Sequence, residues 1–304
     1  MNTSAILFPG QGAQALGMGG WLCENHSSAA DLFAQAGEIL GYDLRSICEN
    51  GPIEKLNSTE FCQPALFVVG IAAATVLESE QPDRIHAIGG AAGLSLGEYT
   101  AVCFAGGLEF ADAVRLVQKR GQAMQAASDA AESGMASVLG LDLETLQGLC
   151  AQCREGDEVL QTANLLCPGN IAVSGHKSAI EKLIPVATEA GAMKVIPLSV
   201  AGAFHTPIMQ SAVETLKSAL DDITITDTRI PVYSNVDAAA HTSADEIRDL
   251  LSRQVVGPVL WEASIRRMMD DGFDRFEEIG TGRVLRGTLK RINRKANTDG
   301  FGDG

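Results

Sequence analysis

The segment Gly93-Leu94-Ser95-Leu96-Gly97 constrains this chain more than any other. It follows a run of small and apolar residues, 85–92, that reads as a buried strand. It opens a helical pattern over 95–105 that Gly106-Gly107 breaks. A strand turning sharply into a helix needs glycine on both sides of the turn, because the two elements approach closely. The serine hydroxyl then stands at the C-terminal end of a strand, beside a helix N-terminus. Backbone N–H groups and the helix dipole favour negative charge there. This is the setting of a serine nucleophile at an elbow. The alternative, a glycine-rich turn with an N-capping serine, is less favoured in that context.

The rest of the chain repeats the same alternation. Short apolar runs at 5–8, 230–234 and 275–279 read as strands. Helical spacing covers 29–40, 64–77, 110–127, 208–220, 244–254, 261–269 and 284–292. The helix over 64–77 is expected to start near Pro64, the favoured N-terminal placement. Between 129 and 199 the texture changes to strand 135–141, helix 143–152, strands 159–165 and 171–175, helix 177–189 and strand 193–198. That order, β-α-β-β-α-β, is ferredoxin-like. The expected fold is α/β, with a hydrolase-like core around a central, mostly parallel sheet. The core is discontinuous, 1–128 and 200–294, and an inserted ferredoxin-like subdomain occupies 129–199. The polar, glycine-rich 295–304 reads as a flexible tail.

Composition removes several function classes. With 304 residues, 46% hydrophobic and 20% charged, the chain can bury a sizeable core. Lys plus Arg is 23 and Asp plus Glu is 38, for a net charge of −15. Such a chain repels phosphate backbones, so no nucleic-acid partner is expected. Seven scattered cysteines point to reduced thiols and a cytoplasmic place. Cys150 and Cys153 read as two small residues on one helix face, not as a metal or redox pair. No apolar run of transmembrane length is apparent, and residues 1–9 lack the basic start of a secretory leader. No membrane, metal or cofactor is expected.

A serine nucleophile needs a base. His26, His176 and His241 lie in polar stretches, and His86 sits at the start of the elbow strand. His205 differs, because Gly202-Ala203-Phe204-His205-Thr206-Pro207 is a loop between a strand and a helix, where catalytic groups collect. Spacing alone leaves it open between base and structural histidine. The turn Phe8-Pro9-Gly10-Gln11-Gly12-Ala13-Gln14 lacks the pattern of a phosphate-binding loop. It reads as a loop bringing backbone N–H groups, or Gln11, to the elbow. Composition makes Arg120 a solvated helical arginine. The other reading is a buried guanidinium gripping a substrate carboxylate.

Together these motifs resemble the malonyl-CoA:acyl carrier protein transacylase family, over about residues 5–292. The resemblance also rests on Gln63-Pro64-Ala65-Leu66, Glu98-Tyr99, Phe110-Ala111-Asp112-Ala113-Val114, Pro231-Val232-Tyr233-Ser234-Asn235-Val236, Gln254 with Pro258-Val259, and Glu278-Ile279-Gly280-Thr281-Gly282 with Leu285. It implies Ser95 as the acylated nucleophile and His205 as its base, oriented by a backbone carbonyl near Gln254 rather than by an aspartate. The backbone N–H groups of Gln11 and Leu96 would form the oxyanion hole. Arg120 would bind the malonyl carboxylate, with Phe204 and Gln254 also at the substrate; a bulky residue at 204 goes with malonyl in related acyltransferases. Malonyl-CoA and an acyl carrier protein would be the partners of a monomer, in fatty-acid synthesis or alternatively beside a polyketide synthase. One departure is Leu94, where many members have histidine. Two rivals remain, a serine hydrolase with an acid between Ser95 and His205, and a non-catalytic carrier-binding module. An acidic carrier would need a locally basic face, and Arg283, Arg286, Lys290, Arg291, Arg294, Lys295, Arg115 and Lys119 are candidates.

Overall fold

The structure is a computed structural model and describes residues 4–302. In chain order the elements are β1 (Ser4–Phe8), α1 (Gly20–Asn25), α2 (Ser27–Leu40), α3 (Leu44–Asn50), α4 (Ile53–Asn57), α5 (Thr59–Glu80), α6 (Pro82–His86), β2 (Ile88–Gly93), α7 (Leu96–Phe104) and α8 (Phe110–Asp129). A second group follows: β3 (Ser133–Leu139), α9 (Leu143–Cys153), β4 (Leu160–Cys167), β5 (Asn170–His176), α10 (Lys177–Glu189) and β6 (Lys194–Pro197). The chain closes with a 3-10 turn (Pro207–Met209), α11 (Gln210–Asp221), β7 (Val232–Tyr233), β8 (Ala240–His241), α12 (Ala244–Gln254), α13 (Trp261–Asp270), β9 (Arg275–Ile279), α14 (Val284–Ile292) and β10 (Asn297–Phe301).

Two sheets result. The larger has the order β10-β9-β1-β2-β7-β8. It is parallel except for the β7–β8 pair. The α/β, mostly parallel expectation therefore holds. β1 is buried at every position, as a strand covered on both faces must be. The smaller sheet is antiparallel, in the order β4-β5-β3-β6, and α9 and α10 pack on it through Leu146, Cys150, Ile180 and Leu183. Cys150 and Cys153 are two apolar positions of α9, and all seven cysteines are free. Val259 ties the two parts together: its N–H donates to the Ala163 carbonyl at 2.7 Å and its carbonyl accepts from Leu165 N–H at 2.9 Å.

Three expectations need correction. The helix expected from Pro64 starts at Thr59, with Pro64 inside it. Residues flanking the proline are buried too, so packing outweighs the one helical hydrogen bond that proline cannot donate. By length and composition α5 is also apolar enough to cross a membrane, yet 78% of its most apolar window is buried inside the protein; it is apolar all round because it is surrounded. The tail expected to be flexible is, over Asn297–Phe301, a parallel edge strand on β9. Asp299 lies 3.1 Å from the Arg84 guanidinium, and Phe301 packs on the core. A polar strand was unreadable from hydropathy because pairing and ion contacts hold it.

Candidate active site

The site begins with the turn after β2. The Leu94 N–H donates to the Phe8 carbonyl at 3.0 Å, so the elbow sits at the C-terminal end of the parallel pair β1–β2, where α/β folds place ligands. A Cβ on Gly97 would lie 2.1 Å from the Phe8 carbonyl oxygen, and one on Gly93 1.8 Å from the Gly97 carbonyl carbon. No side chain fits at either place. Ser95 itself has φ 52°, a conformation costing about 1–3 kcal/mol for a residue with a Cβ. It is held there by Asn235, whose Oδ1 accepts from Ser95 N–H at 2.7 Å and whose Nδ2 donates to the Gly93 carbonyl at 2.8 Å.

His205 lies in the loop after β6 and also has positive φ, 61°. Its Nε2 is 2.9 Å from Ser95 Oγ. Its Nδ1 is 2.9 Å from the backbone carbonyl of Gln254. A carbonyl only accepts, so Nδ1 carries the hydrogen and Nε2 turns its lone pair to the serine hydroxyl. The ring is 2% exposed. Burial, and then the positive charge of Arg120, push its pKa down to about 4. The imidazole is therefore neutral, as a base must be. Among the described residues no carboxylate bonds His205, which removes the acid that a hydrolase triad would supply.

Arg120 is not the solvated residue that composition favoured. It is 1% exposed and lies on the buried stripe of α8 with Ala113, Val117 and Met124. Its Nη1 donates to Gln63 Oε1 at 2.7 Å, and its Nη2 to Ser95 Oγ at 2.9 Å and Gln254 Oε1 at 3.0 Å. The Tyr99 ring faces the guanidinium, 4.9 Å away. Nε has no partner, and no carboxylate pairs with the group among the described residues.

Ser95, His205, Arg120, Gln11, Leu96 and Phe204 all line one pocket of about 80 Å³, with Met135 and Asn164 from the smaller sheet. A pocket this small suits a short acyl group. Leu94 is buried on its wall. Gln254 stands behind the pocket rather than in it, holding His205 and Arg120. A larger cleft of about 600 Å³ lies between Ala13–Leu22 and Thr281–Arg283, but it holds neither nucleophile nor base. The described residues gather no His, Cys, Asp or Glu group able to hold a metal ion.

The acyl transferase domain family matches residues 6–298. The chain belongs to this family. Among its relatives is the malonyl CoA-acyl carrier protein transacylase of Bacillus subtilis, 42% identical over 100% of this chain and 94% of the relative. That of Haemophilus influenzae is 39% identical over 96% and 93%. A solved transacylase of the same name from Xanthomonas oryzae superposes with a TM-score of 0.95, at 37% identity over 100% and 95% of the two chains. A malonyl-transacylase solved with a type II polyketide synthase acyl-carrier protein gives 0.94, at 35% identity over 99% and 96%.

Several residues of this acyltransferase's site escaped the sequence reading as functional. Gln63 and Asn235 stood only inside quoted motifs. Gln161, whose Nε2 donates to the His205 carbonyl at 3.1 Å, gave no signal. An arginine at helical spacing with Ala113, Val117 and Met124 was a usable sign that Arg120 is buried. None of the basic residues offered for a carrier-facing surface lines this pocket. Arg286 bonds Glu278, Lys290 bonds the Ala296 carbonyl and Arg115 bonds Asp112. The other histidines lie elsewhere: His176 accepts from Val159 N–H, His241 bonds Asp237 and Glu246, and His86 ends α6.

Proposed function

We propose that this acyltransferase moves malonyl from malonyl-CoA to the phosphopantetheine thiol of an acyl carrier protein, by a ping-pong route through a malonyl ester on Ser95. The observation that carries the reading is the buried Arg120 guanidinium, bonded to neutral acceptors and to the nucleophile. A buried cation lacking a bonded anion costs several kcal/mol, which an incoming carboxylate offsets. In malonyl-CoA the carboxylate is one methylene from the carbonyl under attack. That length suits a guanidinium touching the attacking oxygen. An acetyl group would leave the cation unpaired.

In the first half-reaction His205 Nε2 takes the Ser95 proton as Oγ attacks the thioester carbon. The oxyanion is received by the Gln11 and Leu96 backbone N–H groups, neither of which bonds another described residue. Each such donor is worth about 3 kcal/mol in related chemistry. The tetrahedral adduct collapses, the C–S bond breaks, and coenzyme A leaves with the proton from the imidazolium. In the second half the carrier thiol gives its proton to His205 and attacks the ester. Ser95 Oγ departs and takes the proton back. Arg120 fixes the carboxylate in both halves, which contributes orientation as well as affinity. Phe204 lines the same pocket as Ser95 and Arg120, where its bulk limits the size of the acyl group. Each step uses side chains and backbone alone, with no cofactor.

The names of the relatives support this substrate pair. The neighbour solved with a polyketide-synthase carrier supports a second setting for the same chemistry; discharge onto fatty-acid and polyketide carriers separates the two. The seven free cysteines support a cytoplasmic place. We further propose that 129–199 acts as a ferredoxin-like subdomain in the core 1–128 and 200–294, and that the chain works as a monomer. The test is Arg120→Ala. Its kcat/KM for acylation by malonyl-CoA is expected to fall about 10²-fold or more, with acetyl-CoA changed less than about tenfold. Equal losses for both acyl groups would contradict the assignment.

A further inference from the structure

Glu98 lies on α7 three residues beyond the nucleophile and is 2% exposed. The transfer chemistry uses no carboxylate there. Burial pushes its pKa up to about 7, against the pull of bonds from Gln254 and Asn235. Its side chain bonds none of Ser95, His205 or Arg120, but it bonds two residues that hold them. Oε2 accepts from Gln254 Nε2 at 2.6 Å and from the Asn235 backbone N–H at 3.0 Å.

The amide of Gln254 has two unlike ends. Nε2 donates to Glu98 and to the Ser95 carbonyl, the latter at 3.0 Å, while Oε1 accepts from Arg120 Nη2 at 3.0 Å. Turned over, the amide would set Nε2 against the guanidinium, donor to donor. It would also set Oε1 against two acceptors. Ionised, the carboxylate at 98 can only accept, so together with the Arg120 donor and the Ser95 carbonyl it forbids that state. We propose that Glu98 is a positioning residue: it fixes the orientation of the Gln254 amide, and through it the Arg120 fork beside Ser95, and so sets the preference for acyl groups that carry a carboxylate. This rests on the reading of Arg120 as the carboxylate clamp.

The test compares single-turnover acylation of Ser95 by malonyl-CoA and by acetyl-CoA in the full chain, as a ratio of kcat/KM values. The wild-type ratio tests the clamp, and the change of ratio between variants tests Glu98. In Glu98→Ala the ratio is expected to fall at least about tenfold, the size of one lost hydrogen bond to a charged group. Glu98→Gln should keep it within about threefold, because its amide oxygen can accept the same two N–H groups. If Glu98→Ala does not fold, Glu98→Asp takes its place: one methylene shorter, it cannot reach both groups, and its ratio is expected to fall likewise. A folded alanine or aspartate variant with both acylation rates lowered equally, and the ratio unchanged, would reduce Glu98 to structural support and overturn the proposal.

Discussion

At the scale of single residues, Ser95 Oγ is shared between a base and a cation. His205 Nε2 and Arg120 Nη2 both lie 2.9 Å from it, the first taking its hydrogen and the second donating to a lone pair. The cation lowers the proton affinity of the imidazole beside it, and burial does so more strongly. A histidine with a depressed pKa stays a base in acid. The acid limb of malonylation is therefore expected near pH 4, rather than at the 6.5 of a solvated imidazole. A limb centred at 6.5 in the pH dependence of kcat/KM that persists in Glu98→Gln would contradict the depressed pKa of His205. The sign for stability follows the same shift. The unfolded chain binds the proton first, so the contribution of His205 is present above about pH 6.5 and is lost as the pH falls toward 4. Ser95 was legible from its turn, because only a strand–turn–helix needs glycine on both sides. His205 was half legible: a loop histidine before a proline could serve either role until Gln254 supplied its orientation. That partner is a backbone carbonyl, which no residue type announces.

At the scale of elements, packing decided what periodicity could not. α5 is buried on every side from Cys62 to Ala74, so it has no polar face to mark its ends, and Pro64 drew the expected start inward. α8 and α14 have clear stripes, and their extents were read within two residues; α7, buried throughout from Leu96 to Val102, was bounded by the glycines on either side of it. β10 was missed because Asn297, Thr298, Asp299 and Gly300 carry no hydrophobic pattern; the strand is held by the β9 ladder and by contacts of Asp299 with Arg84 and Arg275. Truncation after Lys295 tests that correction. Loss of the edge strand and of Phe301 from the core is expected to lower Tm by about 5 °C or more, read by thermal denaturation. A tail without a structural part would leave Tm unchanged.

At the scale of the whole molecule, the acyl pocket lies where the two sheets meet. The larger sheet supplies the elbow and the Gln11 turn, and the smaller supplies Met135 and Asn164. The alternation of elements foretold both sheets, yet not this junction, because contacts such as Val259 with Ala163 join segments far apart in sequence. The central claim, that a serine held between His205 and Arg120 takes up malonyl, spans all of these parts. It is tested most directly by intact mass after incubation with malonyl-CoA and, separately, acetyl-CoA, with Ser95→Ala alongside. The account predicts one malonyl adduct, little acetyl adduct, no adduct in the variant, and discharge on addition of a carrier protein. A malonyl adduct that persists in Ser95→Ala, or an acetyl adduct as abundant as the malonyl one, would contradict it.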